Sequence, residues 1–580
     1  MENSKELLND VSRLQKEGYV ALPVRHIFGK RTEGAGAEWK DVVNMALGSS
    51  EGMSANPDYT SPGSVEIPVG SGIGTKGLGY MTWGSNNRLP NTIGLLVSLL
   101  PYTAAGVKFN TDVTSGLGPR AKYRFSRYVN GTVQTEKVDY AYAGILLKGE
   151  IRERKKALMR FYQQKRMDAN ALPYLAMEKS DKEKLEDQME EQLKGEIDKA
   201  QQDYDKWEET KAWLDEFLGN FNSDMVFLQL ANDMNHMGIC FPELVLDRQS
   251  GVEDTAQWKP KVIALDYRSC CTCRLERMDK RNRINYVYVS NQWLDTNQQT
   301  GSIPKDSQIA AIPALESNRP LRSLQEKVAD TRIRAYTGRK NRQGKDVSER
   351  PTRFILPTFY PSMGRSYYPQ PAWHSIFFGD IYKYCATLIE NRRINNDNRN
   401  MAGRIIYVHT EYLHQLYLQE KATKEEDKEK LRDRMWNEIN EFLKEKNNNG
   451  QTILSFTFIG NDGKEHDAWR IVNVPMSSQS EAEANKTELL EVSSIIFFAL
   501  NIHPFLIGAV PGTSSGGGTY QREMYELKKL LMVPTQRIML KAYEVARDFS
   551  GMDSHLEWEV QQMTLTTLDR NANGIEETKV

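Results

Sequence analysis

The sequence predicts an α+β chain of several structural units, and three observations carry that expectation. At 580 residues the chain exceeds what one simple hydrophobic core organises, so two to four units follow. Apolar residues recur at helical spacing through long charged stretches such as 145–218 and 411–446. Between and beside these helices lie short β-rich runs bounded by turn residues, at 239–246, 261–265, 284–289, 404–409, 452–459 and 467–474.

The composition excludes several function classes. Lys and Arg number 76 against 77 Asp and Glu, a net charge of −1, which argues against a general nucleic-acid coat. It leaves room for a protein that lets DNA pass without gripping it. The five cysteines, three of them in Cys270-Cys271-Thr272-Cys273, give no disulfide framework and point to a reducing compartment. The opening MENSKELLNDVSRLQKEGY has no apolar stretch of the secretory type. The longest apolar runs, such as Ile495 to Leu500, are too short to span a bilayer. A soluble protein without a membrane partner is the expectation.

In chain order, residues 1–80 read as a flexible arm, because Gly, Ser and Pro dominate 48–79 and cannot bury enough apolar surface to fold alone. Gly74-Thr75-Lys76 has the wrong order for a phosphate loop, and no buried strand precedes it. Asn91 is a candidate cap for a helix through Leu100, and Val107–Val113 reads as a strand closed by Ser115-Gly116-Leu117-Gly118. From 145 to 218, Leu185, Met189, Leu193, Ile197, Ala200, Tyr204, Trp207, Leu214 and Leu218 form one apolar stripe that Gly219 ends, a helix lying on a core.

Phe227–Met237 reads as a helix, followed by strands with Asp247-Arg248-Gln249-Ser250-Gly251 as a turn. Cys270, Cys271 and Cys273 lack a fourth ligand and Cys-x2-Cys spacing, and adjacent cysteines on a strand point to opposite faces, so no zinc site is assigned. The window 332–353 is the most basic in the chain and reads as a surface loop. Its Arg339, Lys340, Arg342 and Lys345 are candidate contacts to DNA phosphates or an acidic partner, beside the plainer alternative of a solvated loop.

A helix runs from Ala372 to about Asn395, with Trp373, Ile376, Phe377, Asp380, Tyr384 and Leu388 on one side. The strand–helix–strand–strand unit of 404–474 follows, its last two strands joined through Gly460-Asn461-Asp462-Gly463. Ser478 and Glu481 fit a capping box for the next helix. That helix ends in the unbroken apolar run Ile495–Leu500, expected to be covered on every side and stopped by Pro504. Pro511-Gly512-Thr513-Ser514-Ser515-Gly516-Gly517-Gly518 then offers almost no packing surface, with Thr519 as N-cap of a long helix to Phe549 that contains Pro534. Leu556, Trp558 and Val560 alternate as a strand returning to the body.

This order resembles the portal proteins of tailed bacteriophages. The helix stop Asn501-Ile502-His503-Pro504-Phe505-Leu506-Ile507-Gly508 is similar to the turn before their tunnel loop, and a long proline-bearing helix follows in both. Asn87, Pro90, Ile93, Leu96, Pro101, Gly106, Gly116 and Gly118 match the segment that opens their subunit body. Tyr368, Pro369 and Pro371 stand where their first stem helix is entered, without the usual Tyr-Gly pair. The resemblance implies an arm (1–80), a wing (81–360), a first stem helix (361–400), a clip (401–475), a second stem helix (476–503), a tunnel loop with a long helix (504–550), and a returning strand and tail (551–580). It implies a ring of about twelve copies at one capsid vertex, assembled in the bacterial cytoplasm and retained in the virion. Double-stranded DNA would pass along its axis without sequence recognition. The major capsid protein, the large terminase subunit and a head–tail adaptor would be its partners. Pro511, Gly512, Thr513, Ser514, Ser515, Gly516, Gly517, Gly518 and Thr519 would line the channel. Small uncharged residues there yield to moving DNA, whereas a ring of lysines would grip phosphates.

No catalytic constellation accompanies this. The eight histidines are scattered, and neither HExxH, GxSxG nor a Walker motif occurs. No enzyme activity, cofactor or metal is expected. The competing reading is a non-enzymatic bacterial scaffold or adaptor built on charged helices, which leaves the clip-like insertion and the glycine loop without a role. A nucleic-acid enzyme component using the basic window lacks clustered acids for metal.

Overall fold

The computed structural model describes residues 79–563 together with short strands at 19–21 and 68–69. Within 79–563 it omits 85–86, 130–131, 171–178, 249–257, 292, 294–308, 341–345, 364–366, 379, 399–403, 423, 445–456, 461–462, 474–478 and 508–517. The chain is mixed helix and sheet, in line with the expected α+β class. It opens with β1 (Tyr19–Ala21), β2 (Pro68–Val69), β3 (Tyr80–Met81), α1 (Leu89–Leu99), α2 (Pro101–Ser115), β4 (Pro119–Val129) and β5 (Thr132–Asp139). The helices α3 (Tyr140–Asn170), α4 (Lys179–Gly219) and α5 (Ser223–Met237) follow, then β6 (Ile239–Leu246), β7 (Val262–Arg268), β8 (Cys273–Leu275), β9 (Tyr286–Val289) and β10 (Ala310–Pro313). Next come α6 (Pro320–Ala329), β11 (Ala335–Lys340), β12 (Asp346–Glu349), β13 (Arg353–Ile355), β14 (Thr358–Phe359), α7 (Ser375–Phe378) and α8 (Ile381–Asn398). The last stretch holds β15 (Arg404–His409), α9 (Thr410–Gln419), α10 (Glu425–Lys444), β16 (Thr457–Ile459), β17 (Glu465–Asp467), β18 (Trp469–Asn473), α11 (Gln479–Ala499), α12 (Gly518–Phe549) and β19 (Leu556–Val560).

Packing divides the chain into two units: Met1–Asn44 with Gly379–Ile495, and Met45–Phe378 with Ile496–Val580. In the first, β15 is the centre of an antiparallel sheet between β1 and β18, and β16 and β17 form a hairpin. Two short stretches of the expected arm are therefore paired strands, β1 here and β2 against β3 in the other unit.

The second unit has three main sheets. One is β13-β6-β14 with β7 also on β6, one is β12-β11-β10-β9-β8, and one is β19-β4-β5. The C-terminal half of α12 is the spine of its largest core: Met539, Leu540, Ala542, Tyr543, Val545 and Ala546 are buried there among residues of α4, α5, β6 and β7. The strand β19 returns beside β4 in the register Leu556↔Tyr123 and Trp558↔Ala121, and Leu556, Trp558 and Val560 are its buried positions. Gly116 and Gly118 serve this junction. Both have positive φ, at 51° and 87°. The turn they make is locked to β19 by Leu117 N–H to Gln561 O at 2.7 Å and Gln561 N–H to Gly118 O at 3.0 Å.

Several expectations are corrected. Val107–Val113 is helix, not strand. It lies within α2, where Thr111 and Thr114 satisfy their hydroxyls on carbonyls four residues back and Val107, Asn110, Thr111, Val113 and Thr114 are buried. Packing overrides the β preference of its Val and Thr residues. Asn91 does not cap α1, which starts two residues earlier with Pro90 in its first turn. The charged stretch 145–218 holds long helices as expected, α3 and α4, which pack against each other; the stripe from Leu185 to Leu218 lies wholly on α4, which ends at Gly219, and Trp207 Nε1 donates to Tyr140 O at 2.9 Å. The stretch 411–446 divides, at Lys421 with φ 53°. The helix from Ala372 is interrupted: a 3₁₀ turn and α7 end before Asp380, whose φ of 55° restarts the chain into α8.

Candidate functional site

The candidate site is the glycine-rich segment, and its frame is built from both flanking helices. Pro511 to Gly517 lie outside the described residues. Gly518 and Thr519 are the first two residues of α12, so Thr519 is inside the helix and not its N-cap. Ser478 of the expected capping box also lies outside the described residues, whereas Glu481 is in α11.

The helix before the segment does not stop at Pro504. It ends at Ala499 because Asn501 adopts the left-handed region at φ 56°. Ile502 N–H returns to Phe497 O at 2.9 Å and Asn501 N–H to Phe498 O at 2.9 Å, a Schellman-type closure in which asparagine takes the place of the usual glycine. Pro504 instead opens a 3₁₀ turn, Pro504–Leu506, that packs on α12. The apolar run is not covered on every side either. Leu500 and Ile502 are buried, but Phe498 is 85% exposed and Ile495 is 42% exposed. On α12, Leu527, Leu530, Leu531 and Val533 are exposed as well.

The carbonyls left open at the end of α11 are met by two buried donors. Asn110 Nδ2 on α2 donates to Leu500 O at 3.0 Å. Lys528 Nζ on α12 donates to Asn501 O at 2.9 Å and to Leu500 O at 3.5 Å. An ammonium at a helix C-terminus meets the negative end of the helix dipole. The lysine is nonetheless almost wholly buried, and that desolvation pulls its pKa from the ordinary 10.5 down to about 8. Farther along α12, Gln536 Nε2 donates to Thr114 O at 3.0 Å. The Tyr543 hydroxyl lies 3.1 Å from Ser223 Oγ. The segment therefore leaves from, and re-enters, backbone that is tied into the core.

The basic window is a strand pair and not an irregular loop. β11 and β12 pair antiparallel, with Tyr336↔Ser348 and Lys340↔Asp346. Arg339 and Lys340 are on β11, and Arg342 and Lys345 lie outside the described residues. Several neighbouring cations are spent within the fold. Arg332 pairs with Asp330, Arg350 is buried against Trp258 and donates to Val328 O, and Arg353 bridges Glu243 and Asp266.

Cys270 and Cys271 are in a turn, Ser269–Thr272, closed by Thr272 N–H to Ser269 O at 3.0 Å, so the opposite-face argument drawn for a strand does not apply to them. Cys273 begins β8. Among the described residues no three His, Cys, Asp or Glu side chains are grouped to hold a metal ion. No single described helix is long and apolar enough to cross a membrane, and α1 and α2, apolar enough together, bend by 112° between them.

Sequence reasoning missed Lys528, Asn110 and the buried Arg274. The signal for Lys528 was present: positions 528, 532, 536, 539 and 543 form one helical stripe, and a lysine at its head must find acceptors. Compared with protein-family models and with curated proteins, the chain matches none.

Proposed function

We propose that this chain is a portal subunit, a ring-forming channel for double-stranded DNA at one vertex of a phage capsid. The observation that carries the reading is the inserted unit. A strand–helix–strand assembly is entered through α8 and left through α11, and it packs as a body of its own, Gly379–Ile495 with the paired strand β1. We read that unit as a clip and its flanking helices as the stem. The exit helix leads within a few residues into the glycine-rich segment and then into a 32-residue helix containing Pro534. The bared Phe498, Leu527, Leu530 and Leu531 support it further, since apolar side chains of this size are expected at contacts between copies. A head-to-tail interface repeated around an axis closes into a ring.

In this reading Pro511 to Thr519 line the channel, and the clip receives the packaging motor and later the head–tail adaptor. The absence of charge in that segment leaves DNA phosphates without a grip, and chain neutrality agrees with passage over storage. Arg339, Lys340, Arg342 and Lys345 would contact phosphate or an acidic partner.

Native mass spectrometry with negative-stain imaging tests the class. A closed ring of about twelve copies with a hole wide enough for duplex DNA is the expected result. A two-fold or open assembly that persists with capsid scaffold present overturns it in favour of an adaptor.

A further inference from the structure

The turn that joins β8 to β9 is fastened along its length. Asp279 is its centre. One carboxylate oxygen accepts from Arg281 N–H at 2.7 Å and from Arg283 N–H at 3.0 Å, and the other accepts from the Arg283 guanidinium at 3.1 and 3.2 Å. Asp279 N–H donates to Arg283 O at 3.0 Å and Asn282 N–H to Asp279 O at 2.9 Å, with Asn282 in the left-handed region at φ 56°. Before this loop, Arg277 N–H donates to Gly79 O at 2.9 Å and Met278 N–H to the Tyr367 hydroxyl at 3.0 Å. Behind it, Lys327 of α6 donates to Asn285 O at 3.2 Å.

This rigid frame presents unmatched positive charge. Arg277, Lys280 and Arg281 are exposed, and among the described residues none of these side chains has a hydrogen bond or an ion pair. The acids of the turn and of α6 with its flanks are committed to other groups. Asp279 pairs with Arg283, Glu316 with Arg319 and Arg283, Glu326 with Arg322, and Asp330 with Arg332. Glu276 is turned inward at 1% exposure, where it accepts from Asn285 N–H and the Tyr288 hydroxyl. The surplus therefore stays local, although the whole chain is close to neutral.

We infer that the β8–β9 turn is a binding surface for the phosphate backbone of duplex DNA, contacted through Arg277, Lys280 and Arg281. Two guanidiniums offer planar forks that match phosphate oxygens, and the ammonium adds a point charge. From Arg277 to Arg281 the Cα trace spans at most about 15 Å. That length faces about four phosphates of one strand, which follow each other every ~3.4 Å of helix axis. Contacts of this kind carry no sequence information. An acidic protein fits the surface less well. Protein interfaces centre on apolar and aromatic anchors, and among the described residues no large apolar side chain between Leu228 and Phe359 is exposed. The inference stands apart from the portal reading, because a chain that forms no ring presents the same turn. It is also separate from the basic window, whose Arg339 and Lys340 lie on β11.

The test titrates a labelled mixed-sequence duplex of about 30 base pairs with the full chain and reads fluorescence anisotropy between about 50 and 200 mM salt. Three phosphate contacts give a slope of log K against log salt of about −2.7, a loss of affinity of about 40-fold across that range. In the combined variant Arg277→Gln, Lys280→Gln, Arg281→Gln, affinity at the lowest salt should fall at least about tenfold and the slope should become shallower by about 2 to 3. Circular dichroism should show the fold kept, since the three side chains are exposed. Arg339→Gln with Lys340→Gln should leave both readings as in the wild type. The inference is overturned by duplex binding that is absent at the lowest salt, by equal affinity and slope in the wild type and the triple variant, by a loss confined to the Arg339 and Lys340 variant, or by polyglutamate binding more tightly than the duplex. Native mass of the same samples reports ring closure separately, so failure here and failure of the portal reading give different results.

Discussion

Lys528 makes the pH dependence of stability a test of how the segment's frame is built. Its ammonium is buried against Leu500 O and Asn501 O, and burial lowers its pKa from 10.5 to about 8. In the unfolded chain the group holds its proton up to the ordinary value. Below pH 8 both states are protonated and stability does not depend on it. Between 8 and 10.5 the unfolded chain binds more protons than the native one, so stability rises with pH. Integrated from pH 7 to 9.5, the native state gains about 2 kcal/mol from this one group. In Lys528→Met that gain is gone. At pH 7 the variant exchanges a desolvated charge for an orphaned Asn501 carbonyl, costs of similar size at about 1–3 kcal/mol each, so the two proteins differ little there. Leu500 O keeps its bond from Asn110. Urea unfolding of both proteins at half-unit pH steps measures the difference, in which every other titrating group cancels. A difference between wild type and variant that stays flat from pH 7 to 9.5 refutes the placement of the ammonium in the core.

Asp233 gives a second window of opposite sign: burial raises its pKa from 3.8 to about 6, so its contribution is full below about pH 4 and is lost as pH rises through 6. About 2 kcal/mol should disappear between pH 4 and 7 in the wild type, and Asp233→Asn, whose carbonyl oxygen still accepts from Cys270 N–H and the Tyr267 hydroxyl, should flatten the profile in matched urea titrations. Gly144→Ala drives a methyl into the Trp207 ring between α3 and α4, so the unfolding free energy should fall by about 1–3 kcal/mol, and an unchanged value would mean the helices part freely. Phe498→Ser combined with Leu530→Ser should leave the unfolding midpoint of the isolated chain within about 0.5 kcal/mol, since both side chains are exposed. The same double variant should lower the assembly mass seen by light scattering.

What was legible in the sequence was what local chemistry decides. Ile239–Leu246 and Arg404–His409 were readable to the residue because continuous β-branched and apolar runs end in turn residues. The alternation of Leu556, Trp558 and Val560 likewise marked the returning strand. The failures lie where tertiary contact outweighs propensity. Val107–Val113 has strand-forming residues, yet α2 is helical because α5 and α12 pack on it. Asn501 was hidden because Pro504 offered a louder stop, although only a residue tolerating positive φ closes the helix where it closes. For the candidate segment, its composition announced freedom but not how its ends are held. Those ends depend on Asn110 and Lys528, 390 and 28 residues from the Leu500 carbonyl they share.

That division of labour follows from the proposed role. A channel-lining loop has to yield to a moving duplex while its stems keep the aperture centred, so compliance must stop abruptly at the loop's ends. A hinge made of exposed glycine alone would spread the motion into α11 and α12. In the proposed role the spread would be blocked by polar contacts that cost free energy when broken in a dry interior: Lys528 and Asn110 on the outgoing carbonyls, and Gln536 on the Thr114 carbonyl. Asn110 ties the frame to α2 and Lys528 ties it to α12, Gln536 joins α12 to α2, and α12 continues into the core through Met539 and Tyr543. In the proposed role, force on the segment would pass to the large apolar cluster that these residues share. Hydrogen exchange separates this from a soft hinge: amides of Leu500 to Ile502 and of 528–533 should exchange as slowly as those of Met539 to Ala546. Fast exchange at 500–502 would mean that the loop's base moves with it, and the channel reading would lose its mechanical support.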